Sequence, residues 1–289
     1  MTLRRFRQID VFTRVPYFGN PVAVVLDGAG LSDDAMQRFA RWTNLSETTF
    51  MLPPSDPMAD YRLRIFTPGG ELPFAGHPTL GSCHAWLEAG GQPAAHDEVV
   101  QQCAIGRVRI RRAHGRLAFA APPCKAAAPA PAILASVASA LGLNVAQIVT
   151  SHVLDNGPVW FSLLLDSVQT VLALAPDHAA LKQLGLKVGV AAIVDAKVAA
   201  AATNEPPAAQ LEVRAFAAAI GVPEDPVTGS LNASLAQWLI EDGRLPPHYL
   251  AAQGQCLGRA GRVFIERDAQ AQVWVGGASV ACVDGTVTI

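Results

Sequence analysis

The stretch PFAGHPTLGSCHAW, residues 73–86, decides how this chain is read. A proline and a Gly-His-Pro corner give way to small residues and then to an apolar tail, the pattern of a tight turn that delivers a helix. His77 stands at the mouth of that helix. A histidine there is either a polar cap facing solvent or a proton-handling group aimed into a cleft, and the corner alone leaves both open.

Outward from it, the same short-element rhythm continues. FRQIDVFT (6–13) alternates and PVAVVL (21–26) is a β-branched run, so both read as strands joined through YFGN. Ser32 caps a helix whose apolar face is Met36, Phe39, Ala40 and Thr43. LSETTF (45–50) and YRLRIFTP (61–68) read as strands, and residues 99–122 as strands broken at Gly106 and Gly115. KAAAPAPAI (125–133) has no apolar period and reads as a stiff linker.

The second half repeats the order. Helices are expected at 133–142, 177–185 and 231–243. Strands are expected at 157–166, 188–196, 210–218, 254–267, 271–277 and 278–289, with a Pro/Gly corner, GVPEDPVTGS, at 221–230. Arg64 and Phe66 match Arg214 and Phe216 at an offset of 150 (214 − 64); Gly76 and Gly90 match Gly229 and Gly243 at 153 (229 − 76). Trp86 and Trp238 lie late in the two bracketed helices. A degenerate internal repeat of two lobes, with two glycine-led helix starts across one cleft, is the implied organisation.

Bulk properties narrow the class. The 289 residues exceed one ordinary core, and 51% apolar with 16% charged residues excludes disorder and coiled coils. With 22 Lys and Arg against 24 Asp and Glu, no basic field for nucleic acid exists. Cys83, Cys103, Cys124, Cys256 and Cys282 form no CxxC pair, which argues against a zinc knuckle or disulfide framework and for a reducing compartment. The basic start runs into a strand without a signal-peptide core, and residues 159–176 carry Asp166 and Gln169 mid-run, so a cytoplasmic protein with no membrane span is expected.

Two helix starts expose unpaired N–H groups and partial positive charge, a nest for a carboxylate or enolate oxygen. The first is Gly76-His77; the second is Gly229-Ser230, preceded by Asp225 and Thr228. Each also has a local reading: Thr228 and Ser230 as helix caps, Asp225 as a turn former before Pro226, His77 as a solvated cap. Glu47 interrupts a strand-like run, where it either faces solvent or, partly buried, takes and returns a proton.

RQIDVFT, GNPVAVVL, LSETTF, FTPGGELPFAGHPTLG and EDPVTGS, in this order over nearly the whole chain, resemble the PhzF family of phenazine-biosynthesis-like isomerases. The resemblance implies a diaminopimelate-epimerase-like α+β fold. Two pseudo-symmetric lobes, each a barrel-like, mostly antiparallel sheet around a central helix, would enclose a cofactor-free, metal-free site in the cleft between them. The lobes would be residues 1–124, completed by the strand at 278–289, and residues 132–277. It implies Glu47 as general acid/base, His77 and Asp225 as catalytic polar groups, and Gly76, Gly229 and Ser230 as substrate-binding positions; Thr228, from the second corner itself, is a further expected substrate-binding residue. A small-molecule substrate and a homodimer are implied as partners. Related epimerases use two cysteines, whereas His77 and Asp225 stand where such thiols would be, so two-thiol racemisation is disfavoured. An amino-acid racemase or epimerase, or a non-catalytic small-acid-binding protein on the same scaffold, are the alternatives to an isomerase.

Overall fold

The apolar residues fall in many short runs, and the computed structural model, which describes residues 2–195 and 208–289, builds from them a large, mostly antiparallel sheet system with few helices. The chain divides into two compact units, Met1–Ala120 with Gly276–Ile289, and Ala121–Val275. Among the described residues no helix is long and apolar enough to cross a membrane.

The first unit contains β1 (Leu3–Val11), β2 (Asn20–Val25), α1 (Asp33–Thr43), β3 (Thr48–Leu52), β4 (Tyr61–Thr67), β5 (Gly70–Leu72), α2 (Gly76–Glu88), β6 (Glu98–Cys103), β7 (Gly106–Ala113) and β8 (Arg116–Ala120), with the C-terminal strand Ser279–Thr288. That strand and β2 flank β1, both antiparallel, so residues distant in sequence close one sheet. β2 runs parallel to β3, and β4 lies antiparallel to β3 and β5 but parallel to β6. The Ser32 side chain accepts from the Ala35 N–H as expected, and α1 buries Met36 and Ala40 against Phe50 and Phe66.

Helix α2 touches β1, β2, β3, β4, β6, β8 and the C-terminal strand, and nine of its residues are buried. A helix enclosed on all sides needs small side chains and internal partners for its polar groups. It has both: a Cβ at Gly81 would collide with Val22, Ser82 bonds Thr49 at 2.8 Å, and Thr79 accepts from Gln101 at 3.0 Å.

The second unit contains β9 (Lys125–Ala127), α3 (Pro131–Leu141), β10 (Ile148–Asp155), β11 (Val159–Leu165), α4 (Val168–Ala173), α5 (His178–Leu184), β12 (Val188–Ile193), β13 (Leu211–Ala217), β14 (Val222–Asp225), α6 (Gly229–Glu241), β15 (His248–Gln253) and β16 (Gly261–Arg267). The unit boundary falls within β17 (Val273–Gly277); the C-terminal strand is β18. β11 to β13 bury Leu163, Val188, Val190 and Phe216 against α3 to α5. In α6 nine residues are buried, as in α2.

Several expectations change. Lys125–Ala127 is not linker but a strand antiparallel to β10, since cross-strand pairing overrides weak local preference. Residues 254–267 are not one strand: Gly254 and Gly258 adopt positive φ around a short turn, and β16 starts at Gly261. Of the strand expected at 188–196, Val188–Ile193 is strand and Ala196 lies outside the described residues.

Candidate active site

Glu47 immediately precedes β3 and is not inside it, so its side chain is not bound by strand alternation. It is 15% exposed, and its Oε2 lies 3.3 Å from Nε2 of His77. His77 is the second residue of α2, and its side chain is 6% exposed, which removes the reading of a solvated cap.

The His77 ring is held in one tautomer. It bonds the backbone of Pro21, which has no N–H and therefore accepts. Nε2 has no hydrogen-bond partner, so the donor is Nδ1, and the Nε2 lone pair is presented toward the Glu47 carboxyl. Burial lowers the imidazole pKa to about 3, with the Pro21 bond opposing the shift. The ring is therefore neutral across physiological pH. The pair is a carboxyl beside a neutral base, and no ion pair. Nε2 lies where it can accept a hydrogen bond from a proton-bearing Glu47 oxygen.

The other predicted residues form a second group. Asp225 is the last residue of β14. Its Oδ2 accepts from Thr228 Oγ1 at 2.6 Å. Thr228 is the N-cap position of α6 yet its side chain does not cap the helix, because the hydroxyl is committed to Asp225. Ser230 is not a cap either: its Oγ accepts from Trp160 Nε1 at 3.1 Å and its carbonyl from Asn156 Nδ2 at 3.0 Å. Glu47, Gly76 and His77 thus belong to the first unit, and Asp225, Thr228, Gly229 and Ser230 to the second.

Sequence reading missed the residue that organises the second group. Gln253, at the end of β15, uses its whole amide: Nε2 donates to the Asp225 carbonyl (3.0 Å) and Thr228 Oγ1 (2.9 Å), while Oε1 accepts from Thr228 N–H (3.0 Å) and Asn232 Nδ2 (2.9 Å). A glutamine ending a strand carries no motif, so no local signal marked it.

Cys83 is fully buried in α2, and burial pushes its thiol up to about 12, which makes it a core residue. All five cysteines are free, and among the described residues no cluster of three or more His, Cys, Asp or Glu side chains is arranged to hold a metal.

Known proteins share this sequence and fold. The PhzC-PhzF family, described as phenazine biosynthesis-like protein, matches residues 9–285. Antisense-enhancing sequence 1 of Schizosaccharomyces pombe is 35% identical over 302 residues, covering 99% of both chains. Trans-2,3-dihydro-3-hydroxyanthranilate isomerase of Pseudomonas aeruginosa is 35% identical over 271 residues, covering 91% of this chain and 90% of its own. A Bacillus anthracis PhzF-family crystal structure superposes with a TM-score of 0.83 at 23% identity, covering 100% of both chains. With a family match across nearly all of its length and relatives of this similarity, the chain belongs to the PhzC-PhzF family, and its enzyme class is isomerase.

Proposed function

We propose that the chain is a cofactor-independent isomerase that moves a proton between carbons of a small carboxylate-bearing substrate, with Glu47 as the group that carries it. The observation behind this reading is the 3.3 Å approach of the Glu47 carboxyl to the Nε2 lone pair of a buried, neutral His77. Glu47 as carboxylate removes a proton from carbon; as carboxylic acid it returns that proton to a second carbon, so one proton is conserved through the cycle. His77 keeps the acid form oriented by offering Nε2 as its acceptor.

The charge left on the substrate needs a counterpart. In neither α2 nor α6 does the N-cap side chain bond an N–H of the first turn, and N–H groups there suit a carboxylate or a delocalised oxyanion. In this reading Gly76, Gly229 and Ser230 supply those donors, Thr228 holds Asp225, and Asp225 meets a polar substituent of the substrate. Residues of both units then serve one reaction. The substrate class follows the relative named for trans-2,3-dihydro-3-hydroxyanthranilate, a cyclic carboxylic acid with a mobile hydrogen.

Two-thiol epimerisation fits poorly. The corners carry His77 and Asp225, and the nearby Cys83 thiol is held in its neutral form. The test uses trans-2,3-dihydro-3-hydroxyanthranilate in D2O. Wild-type protein is expected to place solvent deuterium at carbon in the product, and Glu47→Gln to slow this by about 10³-fold or more with the fold intact. Deuterium incorporation by Glu47→Gln at the wild-type rate removes Glu47 from the mechanism.

A further inference from the structure

A second arginine-carboxylate arrangement lies beside Asp225 and has no part in the chemistry described so far. Arg214 of β13 has a side chain 6% exposed, and Glu224 of β14 one 8% exposed. The guanidinium grips the carboxylate with two parallel bonds, Nε to Oε1 and Nη2 to Oε2, both 2.9 Å. Its Nη1 donates to the carbonyls of Val171 (3.1 Å) and Leu174 (2.9 Å) where α4 ends, and Cζ lies 5.0 Å from the Phe216 ring centroid. The fork is thus bound on every side. A buried ion pair of this kind adds little net stability over an apolar replacement; its better-attested use is to fix register.

Register is what β14 lacks. It has four residues and meets β13 at two positions, Asp225 opposite Ala215 and Val222 opposite Ala217. Three residues of β13 (215–217) therefore face four of β14 (222–225), an irregularity that leaves the ladder a poor guide to the rotation of the short strand. Residues 224 and 225 share one peptide unit, so a carboxylate clamped at 224 restricts the backbone rotation that aims the side chain at 225. We propose that Arg214, acting through Glu224, is a positioning residue that orients the Asp225 carboxylate onto Thr228 and the substrate.

The proposal rests on the reading of Asp225 as a substrate-facing group. The first unit supplies an internal control. Arg64 holds Glu71 with the same fork, at 2.7 and 2.7 Å, and lies 5.1 Å over Phe66. There, however, Glu71 is 40% exposed, and it precedes His77 by six positions (77 − 71) instead of adjoining the working residue.

The experiment compares Arg214→Lys and Glu224→Gln, which keep side-chain volume but remove the two-bond fork or its charge, with Arg64→Lys. Crystal structures of the two β14 variants are expected to show the 2.6 Å Thr228–Asp225 bond broken or the Asp225 rotamer changed. With trans-2,3-dihydro-3-hydroxyanthranilate, kcat is expected to fall about tenfold or more while KM changes less than threefold, and Arg64→Lys to stay within twofold of wild type. If Arg214→Lys fails to fold, Glu224→Gln decides alone. Folded variants that keep the Thr228–Asp225 bond at its original length overturn the proposal. Asp225→Asn separates the two ideas: full turnover by that variant removes Asp225 from the reaction itself, whereas loss of turnover beside an unmoved Asp225 in Glu224→Gln refutes only the positioning role.

Discussion

At the start of α2, a buried histidine has one nitrogen tied to a backbone carbonyl and the other in contact with a glutamate but in no hydrogen bond. At the start of α6, Thr228, Asp225, Asn232 and Gln253 are joined by a closed set of hydrogen bonds in which the glutamine amide has no unused donor. Both helices begin with glycine, are thirteen residues long and are buried on most sides. The difference lies in how polar capacity is used. A buried nitrogen left without a hydrogen bond costs stability, and a catalytic role is one reason such a group is kept. The network centred on Gln253, in which Asn232 Oδ1 alone of these four side chains is left without a partner, does the opposite and holds its members in place. In the proposed mechanism one helix start moves the proton and the other holds the ligand still.

The largest effect that would break this contrast comes from His77→Gln. The glutamine amide can still donate to the Pro21 carbonyl and present an oxygen toward Glu47, but from a flexible chain that no longer fixes the Glu47 acid in line. Turnover is expected to fall about 10²-fold, the range for a displaced catalytic group, with KM within a few-fold. Steady-state kinetics with a melting curve on the same preparation checks it. Unchanged kcat with a lowered melting temperature would reduce His77 to a packing residue.

Gln253→Leu probes the other helix start and should act in a different variable. It leaves the Thr228 N–H and hydroxyl, the Asn232 amide and the Asp225 carbonyl each short of a partner. At about 1 kcal/mol or more for each group left unsatisfied, stability is expected to drop by roughly 3 kcal/mol or more. Ligand affinity should weaken about tenfold, because Thr228 and Asp225 are no longer fixed. Urea unfolding and titration with a cyclic carboxylic acid measure the two. A variant as stable as wild type would show that the Gln253 network is not what makes this helix start rigid.

Legibility in the sequence followed the range of the interactions. Ser32, Met36 and Ala40 announce α1 because a cap and a 3.6-residue period are local. Gly76-His77 and Gly229-Ser230 were visible because a helix start has its own turn chemistry, and an offset near 150 pairs the two Arg–Phe sites whose forks the structure shows. The burial of His77 was not visible. It depends on seven strands gathering around α2, and no residue near position 77 encodes that. Gln253, Asn156 and Trp160 were missed for the same reason: each reaches the α6 start from more than twenty residues away in sequence. β9 was missed because alanines and a lysine become strand only through pairing with β10.

The smallest effect concerns pH, and there the two units should differ in sign. In the first, the folded-state pKa of His77 lies near 3, below its unfolded value, so the unfolded chain binds the extra proton and stability is lost as pH falls from about 6.5 towards 3. In the second, Glu212 on β13 is 6% exposed; burial raises its pKa to about 7 against the opposing pull of Arg262 and Arg214. The folded state then holds the extra proton, and stability is lost as pH rises from about 4.5 through 7. Between pH 5 and 8 this amounts to about 2 kcal/mol, which Glu212→Gln should remove, so that its unfolding free energy no longer declines over that interval. His77→Gln should leave that decline in place and flatten the acid side instead. Because the two groups titrate in opposite senses, urea unfolding across pH assigns each slope to one residue without reference to turnover. If both substitutions flatten the same limb, the buried charges of the two units are not independent, and the contrast drawn from the two helix starts would have to be replaced by one shared electrostatic environment.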